Sequence, residues 1–164
     1  MASGDLLHQW QAKDGEPPSS SFAALTRRNN HFLLAYDAAS EEACDFSGVL
    51  SRRYSGGGLT LTLAWAAASA TTGDVKWGAK IERHQDDVDD LDADSFATEQ
   101  VATGTTASLS GELQYTAITF TAGANMDSLA VGEDFRLRIS RKAADAADTM
   151  TGDAQLKSLE LRET

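Results

Sequence analysis

Cysteine and proline are almost absent from this 164-residue sequence, which contains one cysteine and two prolines. A single thiol cannot form a disulfide within the chain, and a single domain of this length buries enough surface to fold without one. We therefore interpret Cys44 as a small buried apolar residue of a strand rather than as a nucleophile. The near-absence of cysteine is also compatible with assembly in a reducing cytoplasm.

Positive charge is scarce as well, because 14 Lys and Arg residues stand against 25 Asp and Glu, for a formal net charge of −11. Nucleic acids are bound by concentrated positive surfaces, so we expect no nucleic-acid partner. No apolar run approaches the roughly 18 residues of a membrane-spanning helix, and the first residues lack the basic and apolar regions of a signal peptide. We therefore expect no membrane contact and no export signal.

Patterns typical of enzymes are missing too. His8, His31 and His84 are far apart in the sequence and lack the spacing of zinc ligands. No G-x-S-x-G motif occurs, and the three glycines at 56–58 lack the lysine of a phosphate-binding loop. We therefore predict no enzymatic activity, no catalytic residue and no cofactor.

The sequence does contain a regular alternation of large apolar and polar residues. After the three glycines, for example, Leu59, Leu61, Leu63 and Trp65 all fall at odd positions. A period of two predicts strands with one buried and one exposed side. The alternation predicts eight strands, over residues 6–11, 31–36, 43–49, 58–65, 74–84, 112–121, 134–141 and 154–162.

Eight such strands predict an all-β protein, an eight-stranded antiparallel β-sandwich. A jelly roll is favoured over an immunoglobulin-like sandwich, because the long segment between the strands at 74–84 and 112–121 suits a jelly-roll loop and the Cys…Trp…Cys spacing is absent. Within this single domain, residues 1–30 form an N-terminal arm with the first strand and a Pro/Ser loop, and residues 31–164 form the sandwich. The arm docks either on its own sandwich or on a neighbouring subunit.

The tryptophans differ in whether they continue the alternating apolar residues of a strand. Trp65 and Trp77 continue apolar series, so we predict that both lie in the core. Trp10 continues no such series and is predicted to be available to a partner. In the strand at 112–121, Leu113 and Tyr115 occupy odd positions while the later apolar residues are even, which predicts a β-bulge or a crossing between sheets near residues 116–117.

An acidic segment is the one candidate for a metal site, with six aspartates between residues 86 and 94. Calcium is bound by oxygen ligands of this kind. The EF-hand pattern fails, because the sixth position counted from Asp90 is Ser95 rather than glycine. A solvated acidic loop is the favoured interpretation, and an irregular calcium site is the alternative, with Asp87, Asp89, Asp90, Asp92 and Asp94 as its candidate ligands.

Two arginine pairs stand out in so acidic a chain, one at 27–28 and one at 52–53. Solvated arginines are the plain interpretation, but arginine and tyrosine are also enriched where protein surfaces meet. A homo-oligomer could place the acidic loop of one copy against the arginines of the next. The candidate interface residues are Trp10, Pro17, Pro18, Arg27, Arg28, Arg52, Arg53 and Tyr54.

Seven short stretches carry a resemblance to a known group of proteins. They are residues 1–5, 16–20, 26–31, 46–50, 54–59, 92–96 and 135–139. Together they resemble small β-sandwich virion structural proteins of tailed bacteriophages and prophages, of the head decoration or fibre and tail adaptor type. The resemblance extends over nearly the whole chain and consists of turn glycines and strand patterns, so it implies no particular binding residue.

The resemblance implies a capsid decoration (cement) protein that binds the outside of the phage head and stabilises the coat subunits. Its partner would be the major coat protein or another virion protein, and the protein itself would form a homo-oligomer, a trimer. It would be assembled in the host cytoplasm and located in the virion, on the capsid exterior. The alternative is a carbohydrate-binding or adaptor module of a tail or head fibre, which predicts an exposed row of aromatic side chains and saturable glycan binding.

Overall fold

The structure is a computed structural model and describes residues 4–164; residues 1–3, which begin the predicted arm and the first stretch of the resemblance, lie outside the described range. Short 3₁₀ turns over Ala12–Asp14 and Ala124–Met126 are the helical elements of the described residues. The ten strands are β1 Leu6–Gln11, β2 Ala24–Arg28, β3 His31–Tyr36, β4 Glu42–Val49, β5 Leu59–Ala67, β6 Asp74–His84, β7 Gln100–Thr105, β8 Gln114–Phe120, β9 Asp134–Arg141 and β10 Ala154–Glu163. The all-β prediction is confirmed, with ten strands instead of eight.

The strands pair into two antiparallel sheets that pack face to face. The larger sheet has the order β2-β3-β10-β5-β8, with β1 also paired to β10, and the smaller sheet has the order β4-β9-β6-β7. Counted from β3 in chain order, the last eight strands run 1-8-3-6 in the larger sheet and 2-7-4-5 in the smaller. This interleaving of two Greek keys is a jelly roll, so the favoured fold is confirmed.

The sequence located the strands with buried sides and missed two edge strands. Four predicted strands, at 6–11, 31–36, 74–84 and 134–141, have the observed ends. The two that were missed, β2 and β7, lie at the edges of the sheets, and their side chains are largely exposed or half-buried. An edge strand that buries little apolar surface leaves little alternation in the sequence.

The core forms where the inner faces of the sheets meet. Trp65 on β5 and Trp77 on β6 are both fully buried, and their ring centroids lie 5.8 Å apart across the sandwich, so the core prediction is confirmed for both. The Trp65 indole donates a hydrogen bond to Thr116 Oγ1 on β8 at 2.9 Å. Glycine is required at Gly104 on β7, because a Cβ there would lie 2.2 Å from that hydroxyl.

Tyr115 faces outward because Thr116 takes the inner position next to it. β8 pairs with β5 in unbroken register from Gln114 to Phe120, so the predicted bulge or crossing is wrong. Along β8 the buried residues are Thr116, Ile118 and Phe120. Tyr115 is 72% exposed and Leu113 precedes the strand at 40% exposed. The change of parity in the sequence therefore reflects two exposed apolar side chains and not an interruption of the strand.

The N-terminal segment docks on its own sandwich. β1 pairs with the second half of β10, β2 pairs with β3, and the backbone of Glu16 bonds to that of Asp45. Trp10 on β1 is only 3% exposed, packs on Phe46 and donates its indole N–H to the Ser47 carbonyl at 2.8 Å. The prediction that Trp10 is available to a partner is therefore wrong, because β1 fills the edge of β10 beyond the end of β3 and turns this indole inward.

Arg141 at the end of β9 is a fully buried charge whose hydrogen bonds are all made within the chain. It donates to both carboxylate oxygens of Asp148, at 3.0 and 2.7 Å. Its other donors bond to the backbone carbonyls of Met150, Gly152 and Tyr36, at 2.7, 2.7 and 3.3 Å. Five bonds use the full donor capacity of a guanidinium group, and they tie the turn between β9 and β10 to the core.

Replacing Arg141 by methionine is expected to destabilise the protein strongly. The substitution leaves the buried Asp148 carboxylate without its partner, which costs about 3–5 kcal/mol in the free energy of unfolding. Urea denaturation monitored by tryptophan fluorescence measures the loss. The matched control is Arg53→Met, an exposed arginine whose replacement should change stability by about 0.5 kcal/mol or less. Equal midpoints for the two variants would contradict the role of Arg141.

Cys44 on β4 is fully buried, in agreement with its interpretation as an apolar residue. Burial, followed by the charge of neighbouring Asp45, raises the pKa of the Cys44 thiol to about 12. The thiolate that reacts with disulfide reagents is therefore nearly absent at neutral pH.

We expect Cys44 to be unreactive in the folded protein. At about pH 8 an aromatic disulfide reagent should label the native protein slowly, and labelling should become fast and stoichiometric once urea unfolds the chain. The two rates are compared on the same sample with and without denaturant. Labelling of the native protein at the unfolded rate would show that β4 does not shield the thiol.

Candidate binding site on the outer face of the larger sheet

The outer face of the smaller sheet is occupied by a network of ion pairs. Arg138 on β9 bonds both oxygens of Asp45 on β4, at 2.6 and 2.8 Å. Arg136, two residues earlier, bonds Glu82 on β6 at 3.0 and 2.6 Å. Asp45 and Glu82 are 3% and 1% exposed, so the charges on this face are paired and largely removed from solvent.

The acidic segment covers this network. The Phe96 ring lies 4.7 Å from the guanidinium carbons of both Arg136 and Arg138 and 4.9 Å from the Lys80 ammonium. Asp94 also pairs with Arg136, and the hydrogen bond from that guanidinium lowers the pKa of the Asp94 carboxyl. The segment at 85–99 therefore covers part of the outer face of the smaller sheet, and two hollows of about 310 Å³ each, lined largely by charged side chains, remain beside it.

The candidate calcium ligands are engaged separately. Asp94 binds Arg136, the Asp89 carboxylate accepts the Gln85 amide at 2.7 Å, and the Asp90 carboxylate accepts the Asp92 amide at 2.9 Å. Within residues 4–164, no three acidic, histidine or cysteine side chains are grouped to hold a metal ion. Asp87, Asp92 and the others are thus not brought together as a coordination site.

The candidate interface residues are also dispersed. Arg28 lies against Gly111, whereas Arg52 approaches Gly132 in a different turn. Arg53 is exposed, and the half-buried Tyr54 donates its hydroxyl to the Gly57 carbonyl at 2.6 Å. Arg27 stacks on Phe32 at 4.6 Å, Pro17 is exposed and Pro18 is half-buried. An interface formed by these residues stays a prediction.

The outer face of the larger sheet is open, and its side chains form rows across β1, β10, β5 and β8. Strand registers place directly opposed, outward-facing residues side by side in each row. The first row is Gln9, Glu160, Thr62 and Ala117, and the second is Gln11, Ser158, Ala64 and Tyr115.

The second row has the profile of a trough. Its central residues, Ser158 and Ala64, are small, while the long side chains of Gln11 and Tyr115 stand at its two ends. Three strand spacings separate these ends, which gives a width of about 14 Å. The hollow has a volume of about 270 Å³. We call this hollow the trough.

Polar groups in the trough are available to a ligand. The hydroxyls of Thr62, Ser158 and Tyr115 form no hydrogen bond to any described residue. The Glu160 carboxylate accepts bonds from Arg162 at 2.5 Å and from Gln9 at 3.2 Å. The bond from Arg162 lowers the Glu160 pKa, which keeps this carboxylate ionised and able to accept further bonds.

Two further hollows lie beside the trough. One, of about 280 Å³, is lined by Arg28, Asn29, His31, Leu33, Ala66, Gly111, Leu113 and Lys157. The other, of about 250 Å³, is lined by Gln11, Ala12, Lys13, Asn30, His31, Phe32 and Lys157. The smaller hollow shares Gln11 with the trough and His31 and Lys157 with the larger one, so the three lie next to one another. We call the two added hollows the basic end.

Sequence reasoning missed this face. The sequence pattern groups Tyr115 with the apolar Leu113, and it places Gln9 and Gln11 in an N-terminal arm. A usable signal was present in β8, because Thr116, Ile118 and Phe120 share one parity that leaves Tyr115 on the other side. A second signal was the alternation of Gln9 and Gln11 around Trp10.

Comparison with known proteins gives only distant structural similarity. No protein-family model and no curated protein matches the sequence. A CBM35 from Cellvibrio japonicus Abf62 is 13% identical, with a TM-score of 0.42, over 98% of this chain and 86% of that one. TmCBM61 in complex with beta-1,4-galactotriose is 10% identical, with a TM-score of 0.39, over 96% and 88%. A CBM4 structure is 15% identical, with a TM-score of 0.33, over 93% and 80%. At such scores the jelly roll stands on the strand order of the chain itself.

Calcium is expected to have no effect on thermal stability. Asp89, Asp90 and Asp94 bond to separate backbone and arginine groups, and no three carboxylates of the described chain are grouped, so the cation has no preformed site. Melting curves in calcium chloride and in EDTA should coincide. As a positive control, Asp94→Asn should lower the free energy of unfolding by up to about 1 kcal/mol through loss of its pairing with Arg136. A higher melting temperature in calcium would contradict the expectation.

Proposed function

We propose that the protein binds carbohydrate in the trough on the outer face of the larger sheet. The observation that carries the proposal is Tyr115, an aromatic side chain 72% exposed at the wall of a hollow whose polar side chains are hydroxyls, amides and a carboxylate. Tyrosine with no packing partner on a sheet surface loses apolar stabilisation, and a ligand with an apolar face restores it.

The groups in the trough complement the chemistry of a sugar. A pyranose ring has an apolar C–H face, which the Tyr115 ring can cover, and a rim of hydroxyl groups that both donate and accept hydrogen bonds. Gln11, Ser158 and Thr62 also both donate and accept, and ionised Glu160 accepts two or more bonds. The trough therefore offers one stacking surface and several polar partners at fixed positions.

The scaffold favours such binding because the lining residues lie on paired strands. Side chains on a packed sheet are held in place before the ligand arrives, so little conformational entropy is lost on binding. The floor of Ser158 and Ala64 lets a ligand approach the backbone of β10 and β5. A single exposed ring in place of the aromatic row expected for a fibre module indicates a short ligand stacked through one sugar unit.

Capsid decoration, the coat protein as partner, the trimer and the position on the virion exterior stay predictions. The absence of enzymatic activity also stays a prediction, and we propose no catalytic role for the trough. A glycan-binding face suits the fibre or adaptor form of the resemblance better than the decoration form. Capsids that withstand heat equally well with and without the protein would count against decoration.

Tyr115→Ala is expected to weaken glycan binding by about tenfold or more, because it removes the stacking surface. A glycan array of neutral, uronate-bearing and sulfated oligosaccharides identifies the bound sugars, and titration calorimetry measures the dissociation constants. Phe22→Ala is the matched control, since Phe22 is an aromatic residue 48% exposed and outside the trough lining. Gln11→Ala tests the opposite wall and should weaken binding less. The proposal fails if the array shows no binding, or if Tyr115→Ala and Phe22→Ala bind equally well.

A further inference from the structure

We infer that the bound glycan is acidic, and that its anionic group lies at the basic end against Lys157 and Arg28. The inference rests on the proposed function and adds the chemical class of the sugar. It is carried by the distribution of charge over the trough and the adjoining basic end, which we together call the groove.

The basic end collects positive charge without negative charge. Lys13, Arg28 and Lys157 line its two hollows, and neither hollow has an aspartate or glutamate in its lining. The chain as a whole has a formal net charge of −11, so the charge of this region is opposite in sign to that of the whole protein. A concave surface lined by one sign of charge focuses the electrostatic potential and attracts ligands of the other sign.

The cations of the basic end are not neutralised by the protein. Arg136, Arg138, Arg141, Lys142 and Arg162 each pair with a carboxylate. Within the described residues, Lys13, Arg28 and Lys157 form no ion pair. Arg28 instead donates from Nη1 to the carbonyls of Ala67 and Ala68 at 3.1 Å each and to Gln155 at 3.0 Å. Its charge is thus held in place by neutral acceptors and remains available to an anion.

The backbone of β10 is shaped to present Lys157. Pairing with β5 joins Leu156 to Trp65 and Ser158 to Ala64, so Lys157 is the extra residue of a bulge. A bulge redirects a side chain out of the regular alternation. Here it inserts a lysine next to Ser158 in the trough, at the point where β10 stops pairing with β3 and begins pairing with β1.

The chemistry at this end fits a carboxylate or sulfate group on a sugar. Arginine and lysine donate charge-assisted hydrogen bonds to such oxygens, and Nε and Nη2 of Arg28 have no hydrogen-bond partner among the described residues. A uronic acid and a sulfated sugar present the same anionic oxygens. The experiment distinguishes these two sources.

The test compares matched glycans on the array and in calorimetry. The strongest acidic binder is measured beside its carboxyl-reduced or desulfated form, and the modified group identifies the source of the charge. We expect the neutral form to bind about fivefold or more weakly, and Lys157→Gln to weaken binding of the acidic form by about the same factor while leaving the neutral form unchanged. Raising NaCl from about 0.05 to 0.5 M should weaken only the acidic form.

The control variant is Lys76→Gln, a lysine on β6 of the smaller sheet, which should change neither affinity. Binding of acidic and neutral forms with equal affinity, or a Lys157→Gln variant that behaves like Lys76→Gln, would overturn the inference. If neutral glycans are bound and Tyr115→Ala abolishes that binding, the proposed function stands and the acidic class alone fails. If no glycan is bound, the proposed function itself fails.

Discussion

The packing of the two inner faces around Trp65 and Trp77 is the constraint on which the rest of the molecule depends. These indoles come from different sheets and are in contact, so each sheet is held by the side chains of the other. Alternation then assigns every second residue of the central strands to the interior. Little inner space is left for a ligand, and recognition has to use the outer faces and the loops.

The outer faces of the two sheets differ in how their polar side chains are bonded. On the smaller sheet, Arg136 and Arg138 meet Asp45 and Glu82, and Phe96 covers the pairs. Buried pairs of this kind contribute little net stability but strongly penalise loss of one partner, which fixes the position of the acidic segment. On the larger sheet the outward residues around the trough are amides, hydroxyls, an alanine, Tyr115 and the Glu160 carboxylate, and no other segment of the described chain lines the trough. The trough therefore offers hydroxyl groups that form no bond within the described chain, whereas the charged groups of the smaller sheet largely bond one another.

The alternation in the sequence was sufficient for the parts of the fold that bury apolar surface. It predicted the ends of β6 and β9, in which apolar inner residues alternate with outer residues that are mostly charged. It also predicted the burial of both core indoles. It missed β2 and β7 because edge strands bury little. It predicted a bulge or crossing in β8 because the apolar residues there change parity, whereas Tyr115 faces outward and Thr116 is stabilised inside by the hydrogen bond from Trp65. The trough was unpredictable for a related reason, since it brings together β1, β10, β5 and β8 from both ends of the chain, and only the strand order makes them neighbours.

Net charge describes the surface incompletely, because it averages over regions that behave independently. The excess of acidic residues correctly describes the exposed 86–94 segment, yet it conceals a region in which Lys13, Arg28 and Lys157 have no acidic neighbour in the lining. At physiological ionic strength charges interact over about 8 Å, so a ligand in the groove responds to the nearest groups rather than to the total. An acidic protein can therefore select an acidic ligand, provided that its cations are left unpaired where the ligand lies. The unpaired Arg28 and the bulge that places Lys157 beside the trough together meet that condition.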